Sequence, residues 1–287
     1  MDILQKSFSN QGKIRFGHYL TKGKQPVLFI HGFPTSSHLW TETIKNLTNL
    51  GHSCGAPDLP GLGDTVTPFD SDYSIDSLAT FIFKYYGQYF IKKPVILVGH
   101  EIGAAVALTL AIQKPGMLRG IVLTSAAFYK NWPTDLMKGL KFVSKHPVVW
   151  QALCKSGLGI LRLKKKLLGQ IAWDNPEEKE KFEKDIHEFL RPFIYSSTSC
   201  SRLRLLLRDL NPKWTMTFAS YLHKIKVPSH LVWGSNDKVL NLNEARKLRG
   251  DLPQSTLTVL PNAGHLLPLE APLELARIIH EFSRKIN

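Results

Sequence analysis

Five short apolar runs decide which architectures are open to this chain. Residues 27–30 (Val-Leu-Phe-Ile), 95–98 (Val-Ile-Leu-Val), 120–124 (Gly-Ile-Val-Leu-Thr), 230–233 (His-Leu-Val-Trp) and 255–260 (Ser-Thr-Leu-Thr-Val-Leu) are each bounded by turn signals. They show little of the in–out alternation of a half-solvated strand. Strands of this kind are buried on both faces, the pattern of a parallel sheet covered by helices. Segments 41–50, 102–113, 242–249 and 273–286 read as helices around them. This alternation predicts an α/β fold with a mostly parallel central sheet flanked by helices.

Between residues 127 and 226 the pattern changes to helical and amphipathic, most clearly over 177–193 and 202–210. The expected organisation is a core of 1–126 and 227–287, with a helical cap of 127–226 inserted after a central strand. A chain of 287 residues can hold both in one body. The formal charge is +14, and 127–226 carries most of it, with 19 Lys and Arg against 9 Asp and Glu. Such a balance attracts an anionic substrate, nucleic acid or an anionic membrane surface. A solvated basic surface is the simpler reading, since no nucleic-acid motif accompanies the charge. No specific nucleic-acid partner is therefore expected, and Lys164–Lys166 reads as wet surface.

Other absences bound the expectations. There is no uncharged apolar run of about 18 residues, so a membrane span is not expected. The N-terminus lacks the basic-then-apolar pattern of a secretory signal. The cysteines, Cys54, Cys154 and Cys200, are odd in number and scattered. They suggest neither a disulfide framework nor a zinc site, and a reducing cytosol fits them best.

The chemistry centres on residues 98–105, Val-Gly-His-Glu-Ile-Gly-Ala-Ala, which leave a strand and open a helix. Gly99 and Gly103 bracket Glu101 as G-x-x-x-G, the spacing of a nucleophile elbow. Around it stand His31-Gly32-Phe33-Pro34, the segment 58–65 (Asp-Leu-Pro-Gly-Leu-Gly-Asp-Thr), Gly234-Ser235-Asn236-Asp237, and Ala263-Gly264-His265 followed by Pro268-Leu269-Glu270-Ala271-Pro272. In this order and spacing the chain resembles the α/β-hydrolase family over nearly its whole length, and most closely its epoxide hydrolase and dehalogenase branch. The resemblance implies the α/β-hydrolase fold, a cofactor-free and metal-free site, and a small-molecule substrate, with an anionic one allowed by the charge. It implies Asp237 and His265 as the acid–histidine pair, and the backbone N–H groups of Phe33 and Ile102 as the oxyanion hole.

The departure is Glu101, where the family has serine or, in that branch, aspartate. A carboxylate is ionised at neutral pH without a base to activate it. It could attack an electrophilic carbon to give an ester, which water activated by His265 and oriented by Asp237 would then hydrolyse. Its extra methylene displaces the carboxylate by about an ångström, enough to cost about 100-fold in rate unless the site is rebuilt around it. Glu101 as a general base for ester or lactone hydrolysis, and a catalytically inactive binding protein in which Glu101 pairs with His265, remain open. Epoxide hydrolase-like chemistry is the leading expectation, with dehalogenase-like second: epoxide hydrolases draw their acid from cap tyrosines, for which Tyr129, Tyr195 and Tyr221 are available. Haloalkane dehalogenases commonly have tryptophan and asparagine where this chain has Ile102 and Phe33, which counts against haloalkanes; the His31-Gly32-Phe33-Pro34 loop instead resembles those of epoxide hydrolases and haloacetate dehalogenases. Trp132 either lines the pocket or anchors the cap. Trp40, His31 and His100 read as packed structural residues.

Overall fold

The computed structural model describes residues 4–90, 93–172 and 176–286. The chain starts with an antiparallel hairpin, β1 (Ser7–Gln11) and β2 (Ile14–Leu20), then enters the core through β3 (Gln25–Ile30), α1 (Thr41–Asn49) and β4 (His52–Pro57). Next come α2 (Ile75–Tyr89), β5 (Val95–His100), α3 (Ile102–Gln113) and β6 (Leu118–Thr124). Among the described residues, six α-helices follow before the next strand: α4 (Asp135–Ser144), α5 (Pro147–Lys155), α6 (Leu158–Leu168), α7 (Pro176–Tyr195), α8 (Ser197–Asp209) and α9 (Pro212–Ala219). The core resumes with β7 (Ser229–Gly234), α10 (Leu242–Asp251) and β8 (Ser255–Leu260), and closes with α11 (Leu267–Glu270) and α12 (Pro272–Lys285).

The strands form one sheet in the order β1-β2-β4-β3-β5-β6-β7-β8. Only the β1–β2 and β2–β4 pairings are antiparallel; every pairing from β4 to β8 is parallel. The five apolar runs become β3, β5, β6, β7 and β8, but β8 departs from the expectation of burial on both faces: it is the last strand of the sheet, and of its residues only Leu260 is buried. Val27 to Ile30, Val95 to Val98 and Ile121 to Leu123 have no solvent exposure. Helix α3 lies so deep against the sheet that every residue from Ile102 to Ala111 is buried, and small side chains (Gly103, Ala104, Ala105, Ala107) let it approach.

The elements that periodicity did not mark have physical reasons for their silence. β4 reads His-Ser-Cys-Gly-Ala-Pro, too small and polar to show as a buried run. β1 is an edge strand with mostly exposed side chains. α2 is crowded with Phe and Tyr, residues that favour strands in isolation. Its helix is secured by the Ser74 cap and by burial of Leu78, Phe81, Ile82 and Tyr85.

The helical insertion between β6 and β7 is tied to the core by polar contacts from separate helices. Arg191 on α7 donates to both carboxylate oxygens of Asp64 at 2.9 and 2.8 Å, and Asp185 meets His38 at 2.8 Å. On α8, the Arg202 Nε donates to the Thr67 carbonyl at 2.7 Å, and Asp209 accepts from the Tyr73 amide at 3.2 Å.

Candidate active site

Glu101 sits between β5 and α3 with φ 53° and ψ −115°, a conformation costly for any residue with a side chain. The bracketing glycines make this turn feasible. A Cβ on Gly99 would lie 2.5 Å from the Gly103 carbonyl oxygen, and one on Gly103 would lie 2.3 Å from that of Ile30. The strand-to-helix turn closes only where both side chains are missing. The Glu101 backbone is then held by its own N–H donating to Thr124 and its carbonyl accepting from the Ala127 N–H.

The carboxylate is buried, with Glu101 only 1% exposed. Its Oε2 accepts hydrogen bonds from the Phe33 N–H at 2.9 Å and the Ile102 N–H at 2.7 Å. Oε1 is buried and has no hydrogen-bond partner among the described residues. Burial pushes the Glu101 pKa up to about 7, against the opposing pull of the two N–H groups and of His265.

His265 and Asp237 come together from the loops after β8 and β7. Nδ1 of His265 meets Oδ2 of Asp237 at 3.0 Å, while Oδ1 of Asp237 accepts from the amides of Val239 and Leu240, both at 2.8 Å. Burial alone would raise the Asp237 pKa, but the charge of His265 and these hydrogen bonds hold it below the usual carboxylate range. Burial would likewise lower that of His265, but the negative charges of Asp237 and Glu101 outweigh it and raise the value. His265 makes its salt bridge with Asp237 and none with Glu101. The closed Glu101–His265 ion pair that the sequence left open is therefore not formed.

The other candidates separate. Trp132 is buried, and its indole N–H has no partner among the described residues; the same is true of Trp40. Tyr129 directs its hydroxyl to Asp251 on α10 at 2.5 Å, and the Lys247 ammonium lies 3.1 Å from its ring centroid. Tyr195 is 75% exposed, and Tyr221 is also on the surface. None of the three tyrosines is placed as a free acid beside Glu101. The structural histidines are packed as expected: His31 accepts from the Leu59 N–H at 2.9 Å, joining the two glycine-rich loops, and His100 meets the Thr124 hydroxyl at 3.0 Å.

Glu270 was quoted only as part of a motif and proves to hold the histidine loop. Its Oε2 accepts from the Gly264 N–H at 2.6 Å and from the Ala172 N–H of the insertion at 2.8 Å, while the His265 N–H donates to the Gln170 carbonyl at 3.0 Å. Burial raises its pKa to about 7. Its role in joining the histidine loop to the insertion carries no local signal, because Ala172 lies 98 residues upstream.

Comparison with known proteins gives the family and the fold. The model of the alpha/beta hydrolase family matches residues 27–278. The chain belongs to this family. Among its relatives, monoacylglycerol lipase abhd6-A of Xenopus laevis is 26% identical over 292 residues, covering 97% of this chain and 82% of that protein. Epoxide hydrolase 2 of Siraitia grosvenorii is 26% identical over 308 residues, covering 93% and 95%. The crystal structure of haloalkane dehalogenase DbeA from Bradyrhizobium elkani superposes with a TM-score of 0.79 at 22% identity, covering 99% of each chain, which shows the shared fold.

In this alpha/beta hydrolase the buried carboxylate has a cost that depends on pH. The Glu101 pKa is about 7 in the folded protein against 4.5 ordinarily. Below pH 4.5 it is protonated in both states; as pH rises towards 7 the unfolded chain releases its proton first, and folding stability is lost. Above pH 7 the loss is complete. Glu101→Gln mimics the neutral carboxyl, so its stability advantage over wild type should grow by about 2 kcal/mol between pH 5 and pH 8. Urea midpoints at the two pH values measure this; an advantage that does not change with pH would mean the carboxylate is not held in a penalised state.

Proposed function

We propose that this protein is a hydrolase in which Glu101 is the nucleophile, attacking an electrophilic carbon of a small molecule. The observation that carries this reading is the division of labour within one carboxylate: Oε2 bonded to the Phe33 and Ile102 amides, Oε1 unbonded. The extra methylene is accommodated because Oε2 reaches both amides at ordinary hydrogen-bond distances. Oε1 forms the new C–O bond as the leaving group departs with its electron pair. The two N–H groups that held Oε2 then face the ester carbonyl, and stabilise the oxyanion when water adds.

His265 supplies the base for that second step. One of the charges that raises its pKa is Glu101 itself. Esterification removes this charge, so His265 becomes readier to be neutral when a water must be deprotonated. Asp237, still ionised, orients the ring and stabilises the imidazolium. Addition of hydroxide to the ester carbon, followed by collapse, releases the alcohol product and restores the carboxylate.

A leaving group that departs as a stable anion, as in dehalogenase-like chemistry, fits better than epoxide opening. Epoxide opening needs a proton donor, and the hydroxyl of Tyr129 is engaged by Asp251 while Tyr195 and Tyr221 lie at the surface. The buried indole N–H groups of Trp132 and Trp40 are donors without partners among the described residues, and halide release requires such donors. The helical insertion acts in this reading as the cap that excludes water, since Glu101 and His265 are 1% and 3% exposed.

The test is a single turnover in 18O-labelled water with haloacids, epoxides and activated esters as substrates. Product oxygen from the carboxylate, with label appearing in the Glu101 peptide, is the expected result. Label in the product and none in Glu101 would make Glu101 a general base, and no turnover of any of the three classes would leave a binding role.

A further inference from the structure

Residues 135–172 contain eight Lys and Arg and a single acidic residue, Asp135. They form α4, α5 and α6 of the insertion, and these helices expose a quantity of apolar surface that the chemistry at Glu101 does not use. Phe142, Val148, Val149, Leu158 and Leu161 are each more than half exposed, Val148 to 83%. On α6 the apolar residues are split between two faces. Leu163 and Leu167 are buried, whereas Leu158 and Leu161 share the exposed face with Arg162, Lys165 and Lys166 at three- and four-residue spacing. Lys145 and Lys155 flank the exposed valines of α5. An open groove of about 360 Å³ runs beside this surface, between Leu161 and Lys164 on one side and Leu190 and Ile194 of α7 on the other.

We infer that the α4–α6 face is a docking surface for an anionic phospholipid membrane. Exposed apolar side chains gain by entering the boundary between headgroups and acyl chains, and long basic side chains beside them reach back to lipid phosphates. The cations outnumber the acidic residues beside them: Asp135 pairs with Lys138 and Glu183 of α7 pairs with Lys164, which leaves Lys145, Lys155, Arg162, Lys165 and Lys166 as the excess positive charge among the exposed apolar side chains. A second copy of the chain would bring like-charged faces together. Nucleic acid would use the cations and leave the valines and leucines exposed to water. The surface is also connected to the site: α6 ends at Leu168, and the Gln170 carbonyl two residues on accepts from the His265 N–H. Docking therefore takes place on the element that leads directly to the catalytic histidine loop. It is independent of which bond Glu101 breaks.

Cosedimentation of the full chain with vesicles tests this, comparing phosphatidylcholine alone with phosphatidylcholine containing phosphatidylglycerol. Binding should require phosphatidylglycerol and weaken with added salt. Lys165→Gln with Lys166→Gln should weaken it by about fivefold per lysine. Val148→Asp with Leu161→Asp should weaken it by about tenfold or more; both positions are exposed, and circular dichroism confirms that the variants fold. Absence of binding to the anionic vesicles would overturn the inference. So would binding that the two aspartates leave unchanged, because the apolar face would then play no part. Self-association in solution that the aspartates abolish, without vesicle binding, would reassign the face to a second copy and overturn it equally.

Discussion

Replacing Glu101 by glutamine is expected to lower turnover by at least about 10⁴-fold, the scale on which loss of a nucleophile acts in hydrolases. The substitution keeps size and shape, and the amide oxygen can still accept from the Phe33 and Ile102 N–H groups that now hold Oε2. What disappears is the negative charge and the nucleophilic Oε1, so the loss reports on chemistry and not on packing. Because the Glu101 pKa is about 7, wild-type turnover should also rise with pH through about 7, as the reactive carboxylate form accumulates. The residual rate of the glutamine variant should lack that limb. Activity within tenfold of wild type would remove Glu101 from the reaction. Under the proposed mechanism stability and turnover are thus expected to run in opposite directions with pH: ionisation destabilises the buried site and also produces the nucleophile.

His265→Gln should slow complete turnover by about 10³-fold or more and change which species accumulates. In the proposed mechanism, attack by Glu101 on the substrate does not need the imidazole, whereas hydrolysis of the ester does. The variant is therefore expected to form a covalent adduct that persists, visible as a mass increase on the intact protein that maps to the peptide carrying Glu101. Asp237 holds Nδ1 of His265 at 3.0 Å and would be left facing a neutral amide, so folding should be checked by circular dichroism. If the variant folds and turnover is lost without an adduct, His265 acts before the covalent step and Glu101 is not the nucleophile.

Much of the fold was legible in the chain because burial on both faces writes a strong local signal. The runs 27–30, 95–98 and 120–124 contain hardly any polar residue, and they became the central strands β3, β5 and β6. The edge of the sheet was not legible: β1 is solvated, and β4 is built of small residues whose pairing with β3 supplies what their side chains do not. The elbow was legible for a stronger reason. A glutamate at φ 53° between a strand and a helix requires that nothing project from Gly99 or Gly103, so the geometry is recorded in the residue types themselves.

Sequence by itself determined the family, the order of the chemical groups along the chain, and the presence of a carboxylate where a hydroxyl or a shorter acid is usual. These depend on residue identity and spacing, which are local. Tertiary structure alone decided that Glu101 places Oε2 on the two amides and makes no salt bridge with His265, that Tyr129 is engaged by Asp251, and that Glu270 joins the histidine loop to the insertion. Apart from the Ile102 amide, which is next to Glu101 in the chain, each of these turns on a hydrogen bond or a charge between residues far apart in sequence. Such a contact is set by how completely both partners lose water when the chain packs, and no spacing along the chain records that.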